Sequence, residues 1–372
     1  MDQVLIIGGG PAGASLAARL ARAGRPVRLI EREAGPHDKV CGEFLSFEAA
    51  AYLAELGVDA RALGAVPITG VEVLRGKRRV QASLPFEALS LSRRVMDEAL
   101  LAKAAALGAQ IERGRRVTRL EGGSGAWRIQ LDDGEAIEAP QVFLATGKHD
   151  LRGWKRPPGR QSDLIGFKQH WTLARGAAGS VLSQVEIHLF PGGYAGLEPV
   201  EGERANLCLV VRKSALRAAG GGWPALFEAL LAACPSLAER LKGGWPSTPK
   251  PLAAAQIPYG HVRARSDGLW RLGDQAAVIP SFAGEGMSIA LHSARLAAES
   301  WMAGASADAY QRALARDVGP QVDRATWLSR GLVRPWSQGL LISLMRGKPG
   351  LLPRAAQATR IPARALEGAL LK

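Results

Sequence analysis

The most constraining feature of this sequence is a glycine-rich turn, at residues 8–13, which lies between a short apolar run and a helical segment. The run at 4–7 is typical of a parallel strand that is buried on both faces, and residues 14–23 have the composition of a helix. A second predicted strand at 27–30 ends at Glu31. A strand, a glycine turn, a helix, a strand and an acidic residue in this order predict a dinucleotide-binding fold.

Individual positions in the turn have separate physical tasks. Gly8 permits the tight turn, Gly10 lets the backbone approach a pyrophosphate, and Gly13 lets the helix pack closely on the strand. The free N–H groups and the positive dipole end at the helix N-terminus suit phosphate groups. Glu31 can accept hydrogen bonds from both ribose hydroxyls, which disfavours a 2′-phosphate and therefore NADP at this site.

The composition describes a globular protein with a large core. The chain has 372 residues, of which 47% are hydrophobic, so one to three structural units of about 100–200 residues are expected. Its three cysteines lie too far apart for a disulfide framework or a metal site. No secretory signal is visible, and no apolar stretch approaches the ~20 residues of a membrane span. The sequence therefore predicts a soluble, cytoplasmic protein without a metal site.

Basic residues are concentrated near the end of the chain. The formal net charge is +14, and residues 311–372 contain eleven Lys and Arg against three Asp and Glu, a net of +8. Such a tail suits an anionic membrane surface or an acidic carrier protein, whereas the absence of a zinc-finger or RNP-like motif argues against nucleic acid. Apolar residues among the basic ones fit either an interfacial amphipathic helix, with peripheral contact at the inner membrane surface, or a packed core. They are Leu340, Leu341, Ile342, Leu344 and Met345.

A second nucleotide-type signature lies late in the chain. A predicted strand at 269–272 is followed by Gly273 and Asp274, and the stretch from Pro280 to Gly286 opens a long predicted helix. The aspartate can accept hydrogen bonds from ribityl hydroxyls. The helix N-terminus suits the pyrimidine end of an isoalloxazine ring, where negative charge develops on reduction. This second motif therefore indicates a flavin.

Four motifs, in this order along the chain, resemble the FAD-dependent superfamily of p-hydroxybenzoate hydroxylase-type monooxygenases, geranylgeranyl reductases and flavin halogenases. They are the N-terminal glycine turn, Arg93 ahead of Met96-Asp97, the stretch 143–147 and the stretch 273–284. The resemblance implies FAD as the cofactor. Because only one Rossmann-like unit is evident, it also implies NAD(P)H as a transiently docking electron donor, with a partner protein as the alternative source of electrons.

The same resemblance implies a set of cofactor-binding residues. Those of the N-terminal turn would hold the pyrophosphate, and those after residue 272 would hold the ribityl chain and the flavin ring. The implied set is Gly8, Gly10, Gly13, Ala14, Glu31, Arg32, Cys41, Gly42, Arg93, Val117, Thr146, Gly147, Gly273, Asp274, Pro280, Gly284, Gly286 and Met287.

The stretch 39–43 narrows the resemblance. Its sequence, Lys-Val-Cys-Gly-Glu, is similar to the Lys-x-Cys-Gly-Gly stretch of geranylgeranyl reductases, which lies against the flavin. Cys41 would tune the flavin or line the substrate pocket, with a role as a small buried hydrophobic residue as the alternative. Glu43 replaces the second glycine of that pattern, and this departure argues against an identical substrate channel.

The stretches 166–171 and 188–196 resemble the substrate domain of the family, whose strands would cover the reactive face of the flavin. They assign no catalytic residue. A Trp-x-Trp-x-Ile-Pro motif is absent, which argues against a halogenase. The pocket candidates, each with packing inside a protein core as its alternative, are Cys41, His170, Trp171, His188 and Tyr194.

We therefore expect a mixed α/β (α+β) protein with three parts. The pattern also predicts one continuous strand at 137–144 and C-terminal helices that are interrupted by prolines, beginning with Pro320. The sequence indicates no oligomeric state. The parts are a Rossmann-like FAD-binding domain (1–67, 88–160 and 262–310), a mixed-sheet substrate-binding domain (68–87 and 161–261) and a helical C-terminal region (311–372).

The favoured function is an NAD(P)H-driven flavoprotein monooxygenase that oxidises a small hydrophobic, aromatic or polyketide-like substrate, free or bound to a carrier protein. The first alternative is a geranylgeranyl reductase-like flavoenzyme that saturates or desaturates C=C bonds of an isoprenoid or lipid chain. The second is a non-catalytic flavin-binding interaction protein. In both enzymes FAD performs the redox chemistry, and the protein supplies orientation and exclusion of water.

Overall fold

The computed structural model describes residues 3–123, 125–174, 183–362 and 365–366. The strands within these residues are, in chain order, β1 (Val4–Ile7), β2 (Val27–Glu31), β3 (Phe44–Leu45), β4 (Val66–Arg75), β5 (Arg78–Ser90), β6 (Gln110–Arg113), β7 (Val117–Gly123), β8 (Ala126–Leu131), β9 (Ala136–Ala139), β10 (Val142–Leu144), β11 (Leu164–Thr172), β12 (Gln184–Phe190), β13 (Gly193–Val200), β14 (Arg204–Arg212), β15 (Trp245–Pro246), β16 (Leu252–Ala255), β17 (His261–Val262), β18 (Trp270–Arg271) and β19 (Ala277–Val278). The helices are α1 (Pro11–Arg22), α2 (Phe47–Glu55), α3 (Arg93–Ala106), α4 (Lys213–Ala218), α5 (Trp223–Ala233), α6 (Pro235–Leu241), α7 (Gly286–Met302), α8 (Ala307–Leu332), α9 (Pro335–Gly347) and α10 (Leu351–Ala358), with short 3₁₀ turns at Gly273–Gln275 and Ser281–Ala283.

The first sheet has five parallel strands in the order β18-β10-β1-β2-β6. Alternate residues of β1 face opposite sides, as in any strand. Val4 and Ile6 pack into a core with α1, α3 and α7, whereas Leu5 and Ile7 pack against the three-stranded sheet β7-β8-β9. Both faces of β1 are therefore covered, which explains its continuous apolar sequence.

A second, larger sheet has the order β15-β11-β14-β13-β12-β4-β5-β3, with β16 also paired to β11. Neighbouring strands are antiparallel except β12 and β4, which run parallel. Helices α4, α5 and α6 cover one face through a core that includes Trp171, Leu209 and Leu230. The other face carries Tyr194 and Glu198 on the wall of a large cavity. The parallel sheet, the mixed sheet and the packed helices confirm the predicted fold class.

The strand predicted at 137–144 is wrong in one respect, because it consists of two strands. Strand β9 belongs to the three-stranded sheet and β10 to the parallel sheet. Pro140 and Gln141 separate them. Proline has no N–H to donate to a strand ladder, so the chain leaves one sheet there before it enters the next.

The prediction of a helix break at Pro320 is also wrong, because α8 continues through this residue. Pro320 is exposed, and so is Arg316, whose carbonyl group loses its helical donor. Water can therefore satisfy that carbonyl. Pro335 instead occupies the first turn of α9, where the missing N–H has no helical partner to lose. Among the described residues, no helix has both the length and the apolar content that crossing a bilayer requires.

The end of the described chain is tied to its beginning. Arg360, which follows α10, donates from Nε to Glu48 Oε1 of α2 across 2.9 Å, and Nη2 also contacts Oε2. Both side chains are 5% exposed. Ile361 and Leu366 join the core that contains α1 and α7. The last described residues thus complete the unit that the first residues begin.

Candidate functional site

A cavity of about 1160 Å³ lies between the carboxyl ends of β1, β2 and β10 and the part of the second sheet formed by β12 and β13. In doubly wound folds, this edge of the parallel sheet is where ligands bind. Residues predicted from distant parts of the sequence share its wall. They are Gly8, Gly10, Glu31, Arg32, Cys41, Gly42, Arg93, Val117, Thr146, Gly147, Tyr194, Gly273, Asp274, Gly284, Gly286 and Met287.

The N-terminal turn has no room for side chains at two of its glycines. Gly8 has φ of +105°, and a Cβ atom there would lie 2.5 Å from the carbonyl oxygen of Ala145. A Cβ atom on Gly13 would lie 1.9 Å from the carbonyl oxygen of Gly8. Helix α1 therefore approaches β1 closely, and its first turn, capped by Gly10, opens onto the cavity.

Glu31 ends β2 at the cavity wall with its carboxylate held in place. The N–H of Gly9 donates to Oε2 across 2.5 Å, and the N–H of Glu33 donates to Oε1 across 3.0 Å. The side chain is buried. Each carboxylate oxygen accepts more than one hydrogen bond, so this fixed group retains capacity for ribose hydroxyls.

Positive charge lies beside the glycine turn. Arg93 donates from Nε and Nη2 to the two oxygens of Asp97, each across 2.8 Å, and Lys39 Nζ lies 3.3 Å from the same carboxylate. Burial raises the pKa of Asp97, but Arg93 and Lys39 outweigh it and lower the pKa below its ordinary value. A Cβ atom on Gly10 would lie 3.3 Å from Arg93 Nη2. The guanidinium group is thus fixed next to the first turn of α1.

The second motif forms the opposite side of the same wall. Gly284 has φ of +71°, and a Cβ atom there would lie 2.6 Å from the ring of Phe44. The hydroxyl of Tyr194 lies 3.0 Å from Ser281 Oγ and accepts a hydrogen bond from the N–H of Phe282 across 3.1 Å. Tyr194 therefore fixes the turn that precedes α7, in addition to lining the cavity.

Glu285 lies between this turn and α7, and it is buried. Burial and the negative charge of Glu48 raise the pKa of Glu285 to about 8, although Arg360 opposes the shift. The carboxyl group is thus protonated at neutral pH. Because Glu285 is neutral, it places no negative charge at the N-terminus of α7.

The residue in place of the family's second glycine, Glu43, is completely buried and has φ of +67°. Its carboxylate accepts hydrogen bonds from Lys168 Nζ (2.5 Å), from His170 Nε2 (2.6 Å) and from the N–H of Arg93 (2.9 Å). Burial raises the pKa of Glu43, but the hydrogen bonds and charges of His170 and Lys168 lower it further, so the net pKa lies below its ordinary value. Glu43 is therefore ionised at neutral pH.

Asp38, Glu43 and His170 each bring a polar atom within 4.8 Å of the others, an arrangement that can hold a metal ion. The ammonium group of Lys168 lies 2.5 Å from Glu43 and 3.9 Å from Asp38. It already supplies the positive charge that the two carboxylates require. We therefore describe these four residues as a buried ion cluster.

Glu198 reaches the cavity wall from β13, opposite the loop that carries Cys41. A Cβ atom on Gly42 would lie 3.8 Å from Glu198 Oε1. Burial raises the pKa of Glu198 well above its ordinary value, and the negative charge of Glu43 raises it further. The cavity wall therefore carries, beside the Cys41 loop, a carboxyl group that holds its proton more tightly than an exposed glutamate does.

The loop is held against this acid by Asn206 of β14. Its Nδ2 group donates to the carbonyl oxygens of Cys41 and Gly42 across 3.0 and 2.8 Å. Cys208, which also lines the cavity, has its thiol pKa raised by burial to about 12. That thiol is protonated at neutral pH and is not a nucleophile.

Comparison with known proteins identifies the kind of site. A family model described as an FAD binding domain matches residues 1–142. The menaquinone reductase of Mycolicibacterium smegmatis is 28% identical over 323 residues, which cover 82% of this chain and 77% of the relative. Digeranylgeranylglycerophospholipid reductase 1 of Methanopyrus kandleri is 28% identical over 317 residues, which cover 80% and 79%. The FAD binding domain and the reductase relatives support an FAD-dependent oxidoreductase.

The fold of this FAD-dependent oxidoreductase is also found among solved structures. A flavin-dependent brominase is 20% identical, covers 96% of this chain and 94% of its own, and has a TM-score of 0.79. Likeness at this identity concerns the fold alone. The predicted superfamily, the enzyme class and the FAD cofactor are confirmed.

The cavity of the FAD-dependent oxidoreductase fits this cofactor. Two glycines leave no space for a Cβ atom, a helix N-terminus and a fixed guanidinium group suit an anionic pyrophosphate, and a fixed carboxylate suits a ribose. Asp274 offers a second carboxylate on the far side of the wall. Of the predicted residues on this wall, Gly8 and Gly10 would hold the pyrophosphate, Arg93 the phosphates or the ribityl chain, and Glu31, with Arg32 beside it, the ribose. The backbone of Val117 would meet adenine, Gly273 and Asp274 would hold the ribityl chain and the pyrophosphate, and Gly284, Gly286 and Met287 would lie at the ring; Thr146 and Gly147 line the same wall.

Several residues that were predicted to bind the cofactor or the substrate do not line the cavity. Gly13 and Ala14 belong to the helix–strand contact, and Pro280 precedes the turn that Tyr194 fixes. Trp171 stacks on Phe227 of α5 with ring centroids 5.6 Å apart. The alternative role of core packing therefore describes Trp171.

Strand alternation explains the positions of the two histidines. In β12 the cavity-facing residues are Val185 and Ile187, so His188 points to the other face, where its Nε2 lies 3.2 Å from Glu186. His188 therefore lies outside the pocket for which it is a candidate. His170 contributes through the buried ion cluster and is not among the described wall residues.

Sequence reasoning missed Glu198 and Lys168. Each is the one Asp, Glu, Lys or Arg residue of its strand, β13 for Glu198 and β11 for Lys168. A charged residue at such a position is rarely buried without a partner, so its occurrence is a signal of a buried pair or a site. Glu198 also lies four residues after Tyr194, which places both on one face of β13.

Proposed function

We propose that this enzyme reduces C=C bonds of an isoprenoid or similar lipid chain. One observation carries the proposal: the wall of the cavity that fits FAD also contains a group of apolar residues, which we call the apolar arm, and the buried Glu198, whose pKa burial raises well above its ordinary value. Both reductases named above act on compounds whose names denote isoprenoid chains, menaquinone and a digeranylgeranyl lipid. The arm includes Val71, Leu84, Phe86, Val185, Ile187, Leu252, Leu352 and Ala355.

Reduction of a C=C bond requires one hydride and one proton. Bound FAD, once reduced, supplies the hydride. The apolar arm would hold the chain by burial of its hydrocarbon surface and would exclude water from the reacting carbons. Glu198 would deliver the proton from its carboxyl group to the second carbon, which forms a C–H bond and leaves Glu198 as a carboxylate.

We infer that the buried ion cluster would connect the carboxyl group of Glu198 to solvent. Glu43 is close enough for its charge to raise the pKa of Glu198, and His170 joins Glu43 to Asp38, with His170 Nδ1 3.7 Å from Asp38 Oδ1. The Asp38 side chain is 27% exposed. Asp38 and His170 would therefore return a proton to Glu198 after each turnover. The cluster also keeps Glu43 ionised, and the negative charge of Glu43 favours the protonated form of Glu198.

The monooxygenase prediction stays a prediction, as does NAD(P)H as the electron donor. The discriminating experiment is a single turnover under anaerobic conditions. The FAD-loaded enzyme is chemically reduced and mixed with a short-chain prenylated quinone or a geranylgeranyl lipid, while the flavin absorbance and the product mass are followed. Flavin reoxidation with a product that gains two hydrogen atoms supports the proposal. A product that forms only with oxygen, and gains one oxygen atom, contradicts it.

A further inference from the structure

Helix α9 presents apolar residues to solvent along one side. Trp336 is 72% exposed, Leu340 is 65% exposed and Leu344 is 48% exposed. Their spacing of four residues places them on one face of the helix. We refer to Trp336, Leu340 and Leu344 as the α9 face. Exposed apolar side chains in contiguous groups, unlike single ones, mark interaction sites.

The opposite side of α9 packs against the rest of the protein. The α9 face is therefore the side of this helix that the fold leaves in contact with solvent. Ile342 is fully buried. Gln338 donates from Nε2 to the carbonyl oxygens of Phe190, Gly193 and Leu332 across 2.8, 3.0 and 2.7 Å. These bonds fix the rotation of the helix about its axis. Part of this segment thus packs in a core and part of it is exposed, and the interfacial role of the exposed part stays a prediction.

Basic residues surround the α9 face. Arg334, Arg346 and Lys348 are exposed at the two ends of the helix. The β4–β5 turn adds Lys77 and Arg78, and Arg78 Nη1 donates to Ser343 Oγ of α9 across 3.3 Å. Residues 330–362 contain six Lys and Arg and no Asp or Glu. The surface is therefore apolar at its centre and positively charged at its edge.

We propose that the α9 face docks on the surface of an anionic lipid bilayer. A tryptophan and two leucines would enter the boundary between headgroups and acyl chains, and the surrounding cations would attract anionic headgroups. The apolar centre favours a membrane over an acidic carrier protein, whose binding would rest on charge alone. The basic edge disfavours a second copy of this chain, because the two copies would repel each other.

The position of α10 connects the docking to the proposed function. This helix follows α9 after residues 348–350, and Leu352, Ala355 and Ala356 line the apolar arm of the cavity. A bilayer in contact with α9 would therefore lie near this part of the cavity wall, and we infer that a lipid chain reaches the arm from this side. This second step rests on the proposed function, whereas the docking itself does not.

Vesicle sedimentation tests the docking with the full-length, FAD-loaded protein. Vesicles of phosphatidylglycerol mixed with phosphatidylcholine should bind the protein, and binding should weaken as the salt concentration rises. Replacing Trp336 and Leu340 by serine should lower the bound fraction about tenfold. Trp245→Ser is the matched control, because Trp245 is 59% exposed but lies in β15, at the other edge of the second sheet from the strands that contact α9. The test uses point substitutions and not a truncation before Arg334. Such a truncation would also remove Arg360, the ion-pair partner of Glu48.

The outcomes separate docking from catalysis. If the wild-type protein does not bind the vesicles, or if Trp245→Ser loses as much binding as the double variant, the docking proposal is wrong. If the double variant changes only the oligomeric state in light scattering, or only the capture of an acidic carrier protein, the face serves that partner and the proposal is also wrong. With docking correct, the double variant should reduce a short, water-soluble substrate normally and a vesicle-embedded one slowly. Vesicle binding without reduction of either substrate refutes the proposed function but leaves the docking intact.

Discussion

Lys168 Nζ donates to Glu43 Oε1 across 2.5 Å, and this contact joins β11 to the loop that carries Cys41. Both groups are buried, so each charge depends on the other. The pair also sets the charge next to Glu198. Stability and chemistry at this site are therefore coupled through one hydrogen bond.

Removal of the lysine should expose this dependence. Lys168→Met leaves Glu43 as a buried carboxylate with fewer partners, and we expect the free energy of unfolding to fall by about 3 kcal/mol. Glu43→Gly removes the charge and relieves the positive φ at that residue. The double variant should therefore be more stable than Lys168→Met alone. Urea unfolding of the three variants measures this coupling, and strictly additive effects would contradict it.

Glu198 should control the rate of substrate reduction without controlling cofactor binding. Glu198→Gln keeps the size of the side chain but removes the proton donor, so the reduction step should slow by about 10²–10⁴-fold. Glu198→Asp should retain part of the rate. Stopped-flow reoxidation of the reduced enzyme by substrate measures the step, and the flavin absorbance spectrum verifies loading. A protonated carboxyl band in the infrared spectrum of the wild type that is missing from Glu198→Gln gives a readout independent of turnover. An unchanged rate of substrate reduction in Glu198→Gln would contradict the proton-donor role of Glu198.

The close contact between α1 and β1 should be intolerant of one methyl group. In Gly13→Ala the new Cβ atom would meet the backbone oxygen of Gly8 at 1.9 Å, so the helix must shift. We expect a loss of about 3 kcal/mol in stability and loss of FAD binding. Gly347→Ala is the matched control, since no atom lies within 4 Å of a Cβ atom at that helical position. Calorimetry and flavin fluorescence should separate the two variants; similar behaviour would contradict the packing argument.

Glu285 should make the protein less stable as the pH rises. Its pKa is about 8 in the folded protein, against 4.5 as its ordinary value. Between these values the folded state retains a proton that the unfolded state releases, so the free energy of unfolding falls with rising pH by at most about 1.4 kcal/mol per unit. Glu285→Gln removes this contribution. Chemical unfolding of both proteins across this pH range gives the difference, and parallel curves would refute it.

The sequence predicts the nucleotide-binding half better than the substrate half. Local rules determine Gly8, Gly13 and Glu31, because a tight turn, a close helix contact and a strand end each restrict the residue type. The wall residues on the second sheet depend instead on which face of each strand meets the cavity. The register of β12 decides that Ile187, not His188, faces inward, and a one-residue difference reverses the answer.

The ion cluster could not be predicted, because its members come from separate segments. Asp38 and Glu43 lie in the loop before β3, and Lys168 and His170 lie in β11. The pairing of β11, β14 and β13 then places Glu198 close enough for the charge of Glu43 to raise its pKa. The family pattern has glycine at the position of Glu43, so the resemblance predicts no ion pair there. The predicted domain boundaries stay a prediction.

The pairing of Glu48 with Arg360 has a consequence for folding during protein synthesis. The two residues are 312 positions apart, so Glu48 has no Arg360 to pair with until the ribosome has made the chain as far as that residue. A chain that stops early, or is trimmed by a protease before Arg360, retains an acid in a site built for an ion pair. The burial of Glu48 without an unpaired charge therefore depends on a residue made long after it, and the earlier part of the chain cannot satisfy this acid by itself.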